Sequence, residues 1–405
     1  MPRTPKHPRT PAHRTPRHHF AQPRPPAEGG HSQKAPLYHG SKAQPLPLPT
    51  GAAPYRLDLV DIVPDAVAAM QKAGGMAFHV IGDTGGVQNP TPQILVANGM
   101  AEDAAVAGAY GTPAFFYHLG DVIYFDGEAK DYFPQFYQPY EHYPNPIIAI
   151  PGNHDGDRYD DGKLVNQEPS LAPFVRNFCA TGPGTHTPEA RDATRTAMVQ
   201  PNVYFTLNTP YATIVGLYTN VPEGGVVDQD QRDWFAGELA AADKKIPLLV
   251  AMHHPIHSLD TYHSGSKTMA EVLSEAIAAS GRRPDMVFAG HVHNYQRFTI
   301  TGAGGKGDSG ITPFIVAGNG GYHNLHKMVR ENGQDLPTPY RAPQEDNVIL
   351  ESYVDDRFGF MRLEIHDDMI DLAAMTVPRP QEKWSQAPRL YDRMRYNWRK
   401  RAIVV

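Results

Sequence analysis

Cysteine is almost missing from this chain: Cys179 stands alone, so no internal disulfide can form and covalent staples contribute nothing to the fold. Beside Phe174, Val175 and Phe178 it reads as a buried, inert thiol, since only Arg176 offers the basic neighbour that a nucleophile would want. Long apolar runs are equally scarce. The longest clear one, Ile246 to Met252, is strand-sized, which predicts no membrane-spanning helix. Acids are nearly absent from the first fifty positions, where Glu28 faces eight Lys or Arg. The remainder therefore carries more than the whole of the −6 net charge, a balance that argues against a general nucleic-acid binder. The same fifty positions lack a continuous apolar stretch after their basic residues, so no secretory signal is expected. No Asn-x-Ser/Thr sequon follows them either, which leaves the cytoplasm or an atypical export route as the expected location.

What is present is a globular composition, with 40% apolar residues spread over 405 positions. Residues 1–50, rich in Pro, Arg and His as in Arg9-Thr10-Pro11-Ala12-His13-Arg14, read as a disordered basic tail. From about Gly51, strand-like runs alternate with helix-like segments, an α/β pattern. Ala77 to Ile81, Ala114 to Leu119 and Pro146 to Ile150 are expected strands, and Thr91-Pro92 an expected helix cap. Val203 to Leu207 and Ala212 to Tyr218 should pair, followed by a helix capped by Asp228 with Trp234, Phe235 and Leu239 on one face. Pro247 to Met252 and Met286 to Ala289 are further strands. Phe298 to Thr301, Pro313 to Ala317, Phe358 to Ile365 and Ile370 to Val377 read as mostly antiparallel, giving two packed mixed sheets flanked by helices. The main domain is expected over 51–378. Residues 379–405, with Arg389, Arg393, Arg395, Arg399, Lys400 and Arg401, form a basic extension read as a solvated helical face.

Five expected strands end in polar residues: Asp83; Asp121; Asn153 with His154; His253 with His254; and His291 with His293. Each alone is explained by ordinary turn chemistry. Ligands of open α/β sheets bind just beyond the carboxyl ends of strands, so together these groups can converge on one crevice. Carboxylates, imidazoles and an amide oxygen suit a pair of hard or borderline cations, and a shared carboxylate can bridge two ions roughly 3.5–4 Å apart.

The blocks Gly82-Asp83-Thr84-Gly85, Gly120-Asp121-Val122-Ile123-Tyr124, Gly152-Asn153-His154-Asp155, Val250-Ala251-Met252-His253 and Gly290-His291-Val292-His293 occur in this order. Between about Phe78 and Val377 the chain thereby resembles calcineurin-like metallophosphoesterases and, within them, purple acid phosphatases. The resemblance implies a four-layer α/β/β/α sandwich. One detail separates the subfamily: where most divalent-metal relatives have a histidine two residues after the first aspartate, this chain has Gly85, and the resemblance implies that Tyr124 takes the ligand position instead. A phenol with an ordinary pKa near 10 binds only where a strong Lewis acid strips its proton, which points to ferric iron.

Carried over by motif, the resemblance implies that Asp83, Tyr124 and His293 hold Fe3+, that Asn153, His253 and His291 hold a divalent ion (Zn2+, Mn2+ or Fe2+), and that Asp121 bridges them. It implies hydrolysis of a small phosphate monoester, with a hydroxide held by the metals attacking phosphorus, as in an acid phosphatase. His154 would stabilise the transition state or protonate the leaving group, and His263, ten residues after His253, would be a substrate-facing general acid. The loop around His263 can equally be a solvated connector. His254 is expected behind the ligands, and His118, His323 and His326 are expected to be structural. Gly302 to Gly307 resembles a phosphate cradle, but Gly307 stands where Ser or Thr is needed, so a hairpin loop is expected; Gly318-Asn319-Gly320-Gly321 reads as a tight turn that can line the site. Two other classes fit the same residues: a divalent-metal phosphodiesterase or nucleotidase on this scaffold, and a non-catalytic binding module that kept the fold. The complete ligand set speaks against the last, because unused buried charges are costly.

Overall fold

Burial explains why the apolar runs become strands. In Leu248–Met252, Leu249 and Ala251 face one core while Leu248, Val250 and Met252 face another. Met286–Ala289 divides the same way, with Met286 and Phe288 on one side and Val287 and Ala289 on the other. A strand covered on both faces needs apolar residues at every position, which is why these read as unbroken runs. Each large apolar side chain so buried contributes about 1.5–3 kcal/mol.

The computed structural model describes residues 45–404 apart from 157–158, 161–162, 165–167, 220–224, 226, 303–309 and 342–344. Most of the expected basic tail and the Ala303 to Gly307 part of the glycine-rich loop thus lie outside the described residues. A nine-stranded sheet has the spatial order Arg56–Asp58, Phe205–Asn208, Thr213–Gly216, Leu248–Met252, Met286–Ala289, Ile311–Ala317, Tyr295–Thr301, Val348–Val354 and Tyr340–Arg341. Its centre, from Thr213–Gly216 to Ile311–Ala317, is parallel. A seven-stranded sheet runs Ala402–Ile403, Arg389–Asn397, Met369–Thr376, Gly359–His366, Gly75–Ile81, Phe116–His118 and Ile147–Ala149, with the last three parallel and the rest antiparallel. The two sheets pack through one shared core, to which Phe78, Phe116, Leu363, Leu249, Phe288 and Ile315 all belong. Outside the larger sheet, Phe235 and Leu239 of helix Gln229–Ala241 and Met269, Val272, Leu273 and Ala276 of helix Lys267–Ser280 build the second core. The latter spacing is one helical stripe.

Local signals hold in part. The Asp228 side chain accepts from Gln231 N and caps its helix as expected, and Ser266 does the same for Met269 N. Thr91 is not a cap: helix Thr91–Ala104 begins after Pro90, and Thr91 lies in its first turn. The basic extension is not a helical face. Arg389–Asn397 is a strand that buries Asp392, Met394 and Tyr396 and pairs with Met369–Thr376, its arginines occupying the outward positions of the alternation. An inter-sheet clasp follows from this placement, since Arg297 of the larger sheet donates twice to Asp392 of the smaller, at 2.7 and 2.9 Å, and Tyr295 Oη donates to the same carboxylate.

Three parallel strands of each sheet end at the same edge of the sandwich: Ile81, His118 and Ala149 from one, Met252, Ala289 and Ala317 from the other. Their loops are tied across the gap, with Gly82 N donating to Ala317 O and Tyr322 N to Asp83 O, each at 2.9 Å.

Candidate metal centre

Two groups of side chains meet at that edge. The Tyr124 phenol donates to Asp83 Oδ1 at 3.3 Å and stands 3.2 Å from His293 Nε2, which is itself 3.5 Å from Asp83 Oδ1. Beside them, Asn153 Oδ1 lies 3.0 Å from His253 Nε2 and 2.9 Å from His291 Nδ1, and Asp121 Oδ1 lies 3.4 Å from His253 Nε2. Asp121, His253 and His291 offer ligand atoms all within 4.8 Å of one another, and so do Asp83, Asp121 and His293, so that Asp121 belongs to both groups. All seven residues are buried.

Hydrogen bonding tests whether this cluster suits cations. His253 Nδ1 lies 2.8 Å from Leu119 O and His293 Nδ1 lies 3.0 Å from Asn324 O. A carbonyl only accepts, so each Nδ1 carries a proton and each ring turns its Nε2 inward. At His253 the Nε2 atom faces the oxygens of Asn153 and Asp121, an arrangement that needs a proton or a cation among them. Asp121 Oδ2 is buried with no hydrogen-bond partner among the described residues. An oxygen stripped of water and left unpaired costs about 1–3 kcal/mol, more when charged. The donors present therefore fit two cations with Asp121 between them.

Electrostatics divide these groups. Burial pushes the Asp83 carboxyl well above the ordinary range, whereas at Asp121 burial is outweighed by His253 alongside, which holds it well below. Burial pushes His291 and His293 well below the usual histidine value, leaving neutral ligands. At His253 burial also lowers the value, but Asp121 carries it up to about 9. Burial, with the charges of Asp121 and Asp83, drives the Tyr124 phenol well above 10, so only a strong Lewis acid would take its proton.

The local backbone explains how loops place these groups. Asp83, Asp121 and His291 have φ of 58°, 53° and 68°, a left-handed conformation that non-glycine residues seldom adopt and that is concentrated at functional sites. Gly85 explains the position of the phenol. A Cβ there would lie 2.7 Å from Tyr124 Cδ2, 2.6 Å from Gln135 Oε1 and 3.0 Å from Ile123 Cα, so the Tyr124 ring occupies the space of a side chain at 85. A histidine at 85 and this placement of Tyr124 exclude one another sterically. Gly318, expected as part of a turn, lines the site, since its Cβ would lie 2.9 Å from Asp83 Oδ2.

Both histidines assigned to substrate reach the centre. The His154 ring packs 4.5 Å from that of Tyr124, its backbone N–H donates to Asp121 Oδ1 at 2.8 Å, and its Nδ1 lies 2.7 Å from Phe125 O. The His263 ring is centred 4.4 Å from that of His291. His254 packs behind the ligands, with Nδ1 2.8 Å from Thr219 Oγ1 and its ring 4.4 Å from His291. His118 is structural, bonded to Thr84 Oγ1 at 2.8 Å. Cys179 is buried, burial pushes its thiol up, and the Arg176 guanidinium is engaged by Glu168 and Glu189.

Sequence reasoning missed the supports. Asp155 accepts from the backbone N–H groups of Val122, Ile123 and Gly152 at 2.8–3.2 Å and so pins two ligand loops together. Its place two residues after Asn153 was the available signal. Gln135 clamps Tyr124, accepting from its N at 3.0 Å and donating to its O at 2.7 Å, and nothing local in sequence marks it. Tyr322 stacks on Tyr124 with ring centroids 4.1 Å apart. Applying the strand-end rule to a sixth strand, Ile311–Ala317, would have flagged it. His326 is brought to the centre as well, its ring 4.3 Å from that of His293.

Comparison with known proteins follows the same lines. Residues 76–295 match the family model described as calcineurin-like phosphoesterase. Over 206 residues the chain is 32% identical to purple acid phosphatase 15 of Arabidopsis thaliana, covering 49% of this chain and 34% of that protein. Over 171 residues it is 26% identical to purple acid phosphatase 22 of the same plant, covering 41% of this chain and 35% of that one. The match therefore spans about a third of the length of these relatives. The structure of purple acid phosphatase PPD1 from yellow lupin (Lupinus luteus) seeds superposes with a TM-score of 0.50 at 15% identity, over 79% of this chain and 53% of that one, a likeness of fold.

Proposed function

The chain belongs to the calcineurin-like phosphoesterase family, and from that premise we propose that it hydrolyses phosphate monoesters at a two-metal centre. In this reading Asp83, Tyr124 and His293 hold a ferric ion, Asn153, His253 and His291 hold a divalent ion, and Asp121 is shared. The observation that carries it is the Tyr124 phenol, seated in the space above Gly85 within 3.3 Å of Asp83 Oδ1 and 3.2 Å of His293 Nε2. Sequence similarity to proteins named purple acid phosphatases supports the same choice.

When bound, such a pair supplies Lewis acidity and a nucleophile available near neutral pH. The protein's residues do the rest. With about +5 from the ions set against two carboxylates, a phenolate and a hydroxide, the site keeps about +1 and attracts a phosphate dianion. The His154 backbone N–H holds Asp121 in its shared orientation. The His154 ring commits Nδ1 to Phe125 O, so Nε2 is the atom that contacts a substrate oxygen. In this reading His263, whose ring lies 4.4 Å from that of His291, gives a proton to the departing alcohol.

Elemental analysis, an absorption spectrum and turnover of p-nitrophenyl phosphate against bis(p-nitrophenyl) phosphate test this together. Expected are iron with a second metal, a violet or pink tyrosinate band, and faster turnover of the monoester. A colourless, iron-free protein that is nevertheless active refutes the ferric assignment. A diester turned over far faster makes the chain a phosphodiesterase.

A further inference from the structure

His326 was expected to be an ordinary structural histidine, and its surroundings say otherwise. Its ring stands 4.3 Å from His293 and 5.0 Å from His263, and Tyr262 lies nearly parallel over it at 4.7 Å and 19°. Its Nδ1 is 2.9 Å from Asp260 Oδ2, a hydrogen-bonded pair whose side chains are 4% and 0% exposed. Its Nε2 has no hydrogen bond among the described residues. Asp260 does more than hold this ring. It also accepts from Tyr262 N at 2.9 Å and His263 N at 3.4 Å, so one buried carboxylate sets the positions of both His263 and His326.

The consequence is a symmetry of the site that the motif blocks do not contain. His263 stands over His291, and His326 stands over His293. With His254 packed behind His291 and His154 beside Tyr124, each half of the centre has two further imidazoles, and His326 is the one on the His293 side to which no role has been given. We propose, on the basis of the phosphatase reading above, that His326 is a third substrate-contacting histidine beside His154 and His263, its Nε2 meeting the phosphoryl group on the Asp83–Tyr124–His293 side. Asp260 is its positioning residue. With Nδ1 committed to the Asp260 carboxylate, Nε2 is the ring nitrogen left to meet substrate. A merely structural role uses Nδ1 alone.

The two roles are separated by two replacements of the same ring. In His326→Asn the amide nitrogen replaces Nδ1 and keeps the Asp260 bond while Nε2 is lost; in His326→Gln the longer side chain replaces Nε2 instead. The probe is inorganic phosphate, measured as the binding constant to the metal-loaded protein by calorimetry and as the inhibition constant in turnover, with metal content and Tm recorded for each variant. Expected is phosphate binding weakened by about tenfold in His326→Asn at unchanged metal content, with KM rising by a similar factor, and binding within about threefold of wild type in His326→Gln. Wild-type phosphate affinity in His326→Asn overturns the proposal, as does loss in His326→Gln alone. If both variants lose phosphate binding together with Tm or metal, the histidine is structural and the proposal also fails. Phosphate binding that responds as expected in a protein hydrolysing no ester would sink the phosphatase reading and leave this contact standing.

Discussion

Replacing Gly85 by alanine isolates the steric argument on which the iron assignment turns. Position 85 lies outside the left-handed backbone region, so alanine is conformationally acceptable there and only space objects. The new methyl would meet the Tyr124 ring at 2.7 Å and Ile123 Cα at 3.0 Å, where ordinary carbon contacts lie at about 3.5–4.0 Å. Gln135 Oε1, at 2.6 Å, cannot swing aside without releasing the two bonds it makes to the Tyr124 backbone. Overpacking of this kind costs about 1–3 kcal/mol and one surrendered hydrogen bond about 0.5–1.5 more, giving an expected loss of about 2–4 kcal/mol. Urea unfolding of the metal-free protein measures it, while the metal-loaded protein is followed by its visible band, which should shift or fade as the phenol is displaced. In a Tyr124→Ala background the same Gly85→Ala change should cost less by about 1 kcal/mol or more, because the ring it strikes is gone. An unchanged urea midpoint with an unchanged spectrum, or strict additivity of the two changes, refutes the claim that the phenol occupies the place of a side chain at 85.

Further outcomes follow from the same geometry. Tyr124→Phe keeps the stacking on Tyr322 and the tilted ring contact with His154 and should fold within about 1–2 kcal/mol of wild type. It should bind iron at least about 100-fold more weakly, by elemental analysis after dialysis, since even partners outside the ligand set are worth 10–100-fold; a persisting band refutes its coordination. A chelator should lower the Tm and added metal restore it, by about 2.7 kcal/mol of stability at a hundred times the dissociation constant; an indifferent Tm in calorimetry argues against a resident metal. At Asp392 burial raises the carboxyl pKa, but the paired Arg297 outweighs burial and holds it below the ordinary value. Its contribution is therefore complete above the unfolded carboxyl pKa near about 4 and lost as pH falls through the lower folded value. Asp392→Ala, leaving Arg297 buried without its partner, should cost about 3–5 kcal/mol at pH 7 and flatten the acid limb of stability against pH. An acid limb unchanged in the variant removes the clasp from the explanation.

The amino-acid sequence by itself determined the strands and the chemistry at their ends. Leu248–Met252 needed apolar residues on both faces, and that requirement is written in consecutive letters. Asp83, Asp121, Asn153, His253 and His291 each follow such a run within a few residues, so local pattern sufficed to nominate them. The tertiary structure decided what distance along the chain conceals. Gln135 reaches Tyr124 from a neighbouring helical turn, Tyr322 stacks on it from a loop nearly two hundred residues away, and Asp260 gathers His263 and His326. Residues 389–397 look basic and helical in isolation, yet they become a strand because Met369–Thr376 offers an open edge whose backbone groups need partners. The division has a physical cause: periodicity and turn preference act over a few residues, whereas packing and hydrogen-bond satisfaction are properties of groups that only the folded chain brings together.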